Sequence, residues 1–581
     1  AFGHCRLCTT EESLSETQPL CDDEGGLMLV MDGTLDNWSA LRGQLMDQGV
    51  RPRGSSDAEL VLRSYQLWGE DCLDRIEGDF AIAIWDQRRR RLFCARDRSG
   101  IKVLHYHWNG RRLVFATDLH AILADPDLRP EMNEGMLAEF LSMQLVSNSE
   151  TLWRDVLRLP GAHAMTVDAA GPRVSRYWRP EDIAAIRYRR DAEYVEHYRQ
   201  ALTRAVQAQA RSHGPVGFEV SGGLDSSSLF ALGDGLVRRG ELCAPDIRAF
   251  TLDYPPGTPA YEVDYAREVC AHAGRGLSAV PPTIWSVERL LAEAARVAGV
   301  PNLPNGIMHL GMFADLRAAG GRVMLNGDGG DQWLDCGDSD MAESLRSGDL
   351  PALGVGLRAD LAARGPWRTL YRALRHGLYP MMPDPLRRVA RGLLLREEIS
   401  QPFWLAPRLR DLLEERRLAQ AEANARRLKG LRIGLRDRIL ALDGAYPAFA
   451  REVSDRMAAS QGIDYRAPMF NRAYLDCVLG FPLSQMRRGE VYRHVHRQAM
   501  TGLLPERVVR RDTKAEFSVI ETHYAAGLAR HARRAASRHG DWFAPEGLAR
   551  VVANLSADTP DPSVWSCGIL TAAISCLEVS N

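Results

Sequence analysis

The stretch FEVSGGLDSSSLFAL, Phe218 to Leu232, sets two glycines, an aspartate and three serines between an apolar run and a helical run. Backbone N–H groups of Ser221, Gly222 and Gly223 would form a concave nest for an anion. Ser226 and Ser227 then open a helix whose N-terminus favours negative charge. Asp225, in the same turn, is placed to ligate a divalent cation and would repel phosphate without one. A second turn, in VMLNGDGGDQWL, carries Asp328 and Asp331 three residues apart. One aspartate from each turn would suit Mg2+, which prefers one or two carboxylates completed by phosphate and water. The third piece is Lys514 in RRDTKAEFS, a polar, turn-like setting. Lys occurs only at positions 102, 429 and 514, while Arg supplies nearly all other positive charge, so each lysine merits inspection. A mobile ammonium would neutralise charge building on a phosphate or a tetrahedral adduct. Taken singly, each piece has a bland reading: a serine-capped glycine turn, a helix-capping acidic loop, a surface lysine.

Two kinds of texture must position these groups. Up to about residue 180, short runs such as LMLVMDG, GDFAIAIWD, RRLFCARD and RRLVFATD read as strands ending in turns, with one helical stretch, DAELVLRSYQLWGEDCLDRI, among them. RLPGAHAMTVDAAGPRVSRYW reads as a closing hairpin and RPEDIAAIRYRRDAEY as a linker. This predicts an α+β domain over 1–180. From about 190 to 581, long helical patterns alternate with VGFEV, IRAFTL and RVMLNG, each followed by a polar or glycine-rich turn. Such alternation implies a parallel sheet with ligands at the C-terminal ends of its strands. Residues 350–440 read as helical and Arg-rich, either a solvated face or a docking surface for an acidic or extended partner.

The 581 residues exceed one compact core, and a hydrophobic content of 45% with 25% charged residues is ordinary for a globular chain. A net charge of -2 gives no field favouring nucleic acid or anionic membrane. No apolar run reaches the roughly 18 residues of a membrane span, and AFGHCRLCTT has no signal-peptide pattern, so a cytoplasmic location is expected. Eleven scattered cysteines do not read as a disulfide framework. Cys5 and Cys8 form a lone CxxC with no second pair, which predicts two buried thiols rather than a metal site.

SGGLDSSS has no P-loop lysine; it resembles instead the pyrophosphate loop of ATP pyrophosphatases, which cleave between the α and β phosphates. With NGDGGDQ, YRAPMFN and DTKAEFS after it, and GHCRL, DGTLDN, SSDAELVL, GDFAIAIWD and ARDRSGIKVLHY before it, nearly the whole chain resembles the asparagine synthetase family. The resemblance implies an α+β, Ntn-amidotransferase-like sandwich followed by an α/β PP-loop ATP pyrophosphatase domain with a parallel sheet and added helices. It implies ATP and Mg2+ as cofactors, with Ser221, Gly222, Gly223, Asp225, Ser226 and Ser227 on pyrophosphate. Leu252 and Gly327 would lie by adenosine, Asp225 and Asp331 on Mg2+, and Lys514 and Asp328 in catalysis. Asp328, Gln332 and Asn471 depart from the family's usual acids.

The same resemblance places Arg6, Asp32, Gly33 and Asp57 in a glutamine pocket. Active relatives hydrolyse glutamine with an N-terminal Cys. FGHCRL resembles a strand well inside that domain, so a nucleophile's segment would precede residue 1 and its identity is not readable. The family's NGE turn is Asp32-Gly33-Thr34 here. An ionised Asp cannot donate to an oxyanion, and losing one such donor costs roughly a hundred- to a thousand-fold in rate. A dead or very weak glutaminase kept as scaffold is therefore expected, and the attacking amine must come from elsewhere. DGTLDN and DTKAEFS look most like the lasso-peptide cyclase branch, in which a precursor's own N-terminal amine closes a ring on an adenylated side chain. A peptide substrate and a maturation protease are the partners this implies, with no nucleic acid or membrane; oligomeric state is left open. Asparagine synthesis, β-lactam synthesis, an RNA-modifying PP-loop enzyme and a non-catalytic peptide binder are the alternatives.

Overall fold

The computed structural model describes residues 1–22, 24–300, 304–335, 339–348, 350–382, 386, 390, 402–489, 491–517 and 519–556. Among the described residues the first domain holds nine strands: β1 (Leu20–Asp22), β2 (Leu27–Leu35), β3 (Gly78–Asp86), β4 (Arg91–Arg96), β5 (His105–Trp108), β6 (Leu113–Ala116), β7 (Val156–Arg158), β8 (His163–Asp168) and β9 (Gly171–Arg176). They form an antiparallel six-stranded sheet, β1-β2-β3-β4-β8-β9, and a three-stranded sheet, β6-β5-β7. The period of two decides the layering. Phe80, Ile82 and Ile84 of β3 bury against the helix Asp57–Trp68, whereas Ala81 and Ala83 bury with Leu104, Tyr106 and Leu159 on the other face. The small alanines let the second layer approach. The helical stretch ends sooner than its pattern suggests, because Gly69 adopts φ 61° and a 3-10 turn follows.

The second domain centres on five parallel strands in the order β12-β11-β10-β13-β14, namely β10 (Val216–Glu219), β11 (Ile247–Leu252), β12 (Leu277–Val280), β13 (Val323–Leu325) and β14 (Asp464–Arg466). Phe218, Ala249 and Leu325 pack with residues of the helices Asp191–Gln209 and Leu224–Arg239; Phe250 and Met324 pack with the helix Leu310–Ala318. Both faces are thus covered, as parallel sheets require. The described parts of the Arg-rich tract are mostly helical, including Leu350–Arg364, Pro407–Arg427 and Ile433–Leu442. Its positions 383–385, 387–389 and 391–401 lie outside the described residues, as does Ser518 of DTKAEFS.

Buried charge welds the domains. Lys102 donates to Asp455 at 2.7 Å and Asp464 at 2.9 Å. Arg466 binds Asp464 at 2.7 Å and reaches Thr9 Oγ1 at 3.1 Å. Burial works against the Lys102 charge, yet the two aspartates hold its pKa well above the usual value. Burial alone would raise Asp464, but Lys102 and Arg466 hold it well below the carboxylate range.

Two local expectations fail. FGHCRL is not a strand: residues 1–9 have no regular structure, and Arg6 turns back to the Ser13 and Leu14 carbonyls while β1 takes the sheet edge beside β2. Cys5 is exposed and Cys8 half-buried rather than both buried, since no ladder packs that segment into the sandwich.

Candidate active site

The first turn leaves β10 at Glu219 and enters the helix Leu224–Arg239. Gly222 sits at φ 72°, and a Cβ there would lie 2.2 Å from Tyr265 Cβ, so only glycine lets the turn close. Ser221 Oγ accepts from Gly223 N at 3.1 Å and meets Ser226 Oγ at 3.0 Å, while Ser226 Oγ accepts from Ser221 N at 3.2 Å. The N–H groups of Ser221 and Gly223 are thus engaged by serine hydroxyls, whose place a phosphate oxygen would have to take. The Ser227 hydroxyl is buried in the same turn.

The second turn leaves β13 and packs directly on the first. A Cβ on Gly327 would come within 2.9 Å of Ser226 N, and one on Gly330 within 2.2 Å of the Asp225 carboxyl carbon. These glycines bring Asp225 and Asp331 to one cation. Arg493 donates to Asp225 Oδ2 at 2.6 Å and also to Asp331 Oδ1, to which Lys514 Nζ donates as well. Asp225 and Arg493 are largely buried, whereas Asp331 and Lys514 are 58% and 64% exposed, at the mouth of the cluster. Burial raises the Asp225 carboxyl and Asp331 adds repulsion, against the pull of Arg493. His496 Nε2 lies 3.5 Å from Asp225 Oδ1; burial, reinforced by Arg493, pushes its imidazole down to about 3, so it stays neutral. Arg493 has φ 57°, a left-handed conformation for a residue with a side chain, at the point where it bridges the acids.

Arg511 ties the lysine loop to the nest. Its guanidinium donates to Gly222 O at 3.2 Å, pairs with Glu262 at 2.6 Å and covers the Tyr265 ring at 4.1 Å. Asp328 belongs to a neighbouring group and is itself exposed at the turn. Its carboxyl is raised to about 6 by desolvation and by Glu219. Glu219, at the end of β10, accepts from Tyr465 OH at 2.7 Å, yet burial lifts it to about 7. Leu252 closes β11 and is half-buried. All these groups gather at the C-terminal ends of the parallel strands, where such sheets bind ligands.

Two carboxylates converging on one cation, beside a nest of N–H groups, fit Mg2+ carried by a polyphosphate. No cluster of three or more metal-ligating side chains occurs among the described residues, so the remaining oxygens would come from the nucleotide and water.

The glutamine-pocket residues meet different surroundings. Arg6, Asp32, Gly33 and Asp57 line a cavity of only about 60 Å3, against roughly 300–1,000 Å3 for small-molecule sites. Gly33, at φ 132°, would clash with Asp79 O if it bore a Cβ. Arg6 bonds to Cys8 Sγ at 2.7 Å and to carbonyls of its own segment. Asp57 accepts from Leu35 N at 2.9 Å and is paired with Arg211 of the second domain, both at under a tenth exposed.

Comparison with known proteins matches residues 1–178 to the glutamine amidotransferase domain family and residues 197–573 to the asparagine synthase family. The second match takes in more than half of the chain. It belongs to the asparagine synthase family. Among relatives, "Amidase chry2" of Gibberella zeae is 29% identical over 360 residues, covering 60% of this chain and 53% of that protein. "Asparagine synthetase [glutamine-hydrolyzing] 3" of Bacillus subtilis is 33% identical over 255 residues, covering 44% and 41%. The first synthetase of the same bacterium is 23% identical over 546 residues, covering 90% and 80%. The chain spans about half the length of the first two. Within this asparagine synthase family member, sequence reasoning passed over Arg493, Arg511, Glu219, Tyr465 and His496. Arginine is too common here to draw notice, and Glu219 is hidden in an apolar run.

Proposed function

We propose that the chain is an ATP-dependent amide ligase that adenylates a carboxylate, releases pyrophosphate, and lets an amine displace AMP. The observation that carries this reading is the convergence of Asp225, Asp331, Arg493 and Lys514 beside the Ser221–Ser227 nest. The nest and helix N-terminus would hold the β and γ phosphates, and Asp225 and Asp331 a Mg2+ that neutralises them. Lys514, exposed at the mouth, would stabilise charge on the α-phosphate as the substrate carboxylate attacks it and the α–β bond breaks. Asp328 and Glu219, raised into the range of about 6 to 7, suit proton removal from the incoming ammonium.

The amine in this reading is the N-terminus of a peptide, and the product a macrolactam of the lasso type. The closed 60 Å3 remnant and the Arg211-bound Asp57 favour an amine other than glutamine-derived ammonia. The helices over 350–372 expose Trp367 at 82% and also Val355, Leu361 and Leu370, among arginines, a surface better matched to a peptide than to a free amino acid. A precursor peptide and its maturation protease would be the partners, and a need for ATP is in keeping with a cytoplasmic reaction. Asparagine synthesis from aspartate is the second reading, favoured by the names of two relatives. AMP release should require a peptide with a free N-terminus and an acidic side chain, and the peptide should lose one water. AMP release with aspartate and ammonia alone would support the second reading instead.

A further inference from the structure

A cavity of about 660 Å3 lies where the first domain meets the helices Pro407–Arg427 and Ala445–Ser460, a size typical of small-molecule sites. Six arginines line it, against two acids. Three of the six are matched: Arg176 and Arg427 share Asp443 at 3.1 and 2.5 Å, and Arg417 meets Glu414 at 3.2 Å. The other three, Arg96, Arg98 and Arg451, are 1%, 8% and 9% exposed and have no ion-pair partner among the described residues. Arg96 donates to the carbonyls of Lys102, Leu159 and Gly100, and Arg98 to those of Leu73 and Ile76. Arg451 donates to Ser99 O at 3.0 Å and lies over the Phe470 ring. The buried Nε groups of Arg98 and Arg451 have no hydrogen-bond partner. Buried charges are ordinarily paired, because desolvation is costly and carbonyl dipoles alone offset it incompletely. Burial pushes Arg96 and Arg451 down to about 10, against the pull of the neighbouring Asp97 carboxylate, which offsets part of their charge.

We propose that this cavity is a binding site for a small polyanion bearing phosphate or carboxylate groups, separate from the phosphate nest around Ser221. Planar guanidinium groups bind both kinds of oxyanion in forked geometry, and together they supply the excess positive charge.

The test is calorimetric titration of the full chain with citrate and, separately, with inorganic pyrophosphate. It uses the parent, Ala421→Trp, Arg451→Met and Asp331→Asn. Ala421 lines the cavity from an exposed helix face, so its replacement obstructs the site without removing a buried charge. At least one probe should bind once per chain with Kd below about 1 mM. Ala421→Trp and, where it folds, Arg451→Met should weaken that binding about ten-fold or more, while Asp331→Asn leaves it within about two-fold. Citrate alone would mark a carboxylate ligand, pyrophosphate alone a phosphate ligand. Failure of both to bind, or binding untouched by Ala421→Trp whatever Asp331→Asn does, would overturn the proposal.

Discussion

The turn cluster around Asp225 and the small pocket around Asp57 use the same chemistry, a carboxylate held by a guanidinium, and differ in what lies outside it. Asp57 and Arg211 face each other at under a tenth exposed. Nearby, Lys102 is enclosed by Asp455 and Asp464 with no more than 16% side-chain exposure on any of the three. In the turn cluster, Arg493 joins Asp225 to an Asp331 that is mostly exposed, and Lys514 stands beside it in solvent. Charge sealed against its partner ties the domains together. Charge left at a mouth is available to a ligand. Ion pairing alone therefore does not separate structural from reactive sites in this molecule; access does.

That contrast makes graded predictions. Lys102→Met should have the largest effect on stability, since it strands Asp455 and Asp464 in the interface; a loss of about 3–5 kcal/mol is expected, read as a lower urea midpoint. An unchanged midpoint would mean that the weld is ornamental. Lys514→Met should leave the midpoint alone, because the side chain is exposed, but lower turnover by about a hundred- to a thousand-fold. The reverse pattern in these two variants would break the comparison.

Asp328→Asn sharpens it further. The Asp328 carboxyl is raised by desolvation to about 6, above its unfolded value of about 3.9. The folded state thus holds more protons than the unfolded one across that interval, and stability falls as pH rises from about 4 through about 6. Asp328→Asn should therefore be the more stable chain at pH 8, by a small margin because solvent screens the exposed side chain. The gain should shrink toward pH 4 while turnover is lost. Smallest of all should be the effect of Asp32→Asn with Thr34→Glu, which rebuilds the NGE turn. Glutamine should still fail to bind in saturation-transfer NMR, because Asp57 remains engaged by Arg211 and the cavity remains about 60 Å3.

The glycine turns were readable because φ or close approach demands glycine there: both at Gly222, close approach to Asp225 at Gly330. Strands with strict alternation, such as β3, were equally plain. β14 was not: DYR is three residues long with two charges, and it is a strand only because Lys102 of the first domain and the main-chain carbonyls of Gln209 and Arg211 satisfy those charges. Counting lysines flagged Lys102 and Lys514 alike, and only the fold separates the buried weld from the exposed cation. Arg493 left no trace in the sequence, since its role comes from a left-handed backbone angle that local pattern does not reveal.

The most direct measurement follows oxygen from the substrate. A candidate peptide carrying 18O in its side-chain carboxyl is turned over with ATP, and the nucleotide is analysed by mass spectrometry. The account predicts AMP bearing one 18O, with pyrophosphate as co-product and the label reduced in Lys514→Met only through lower yield. Unlabelled AMP, or ADP with inorganic phosphate, would contradict it.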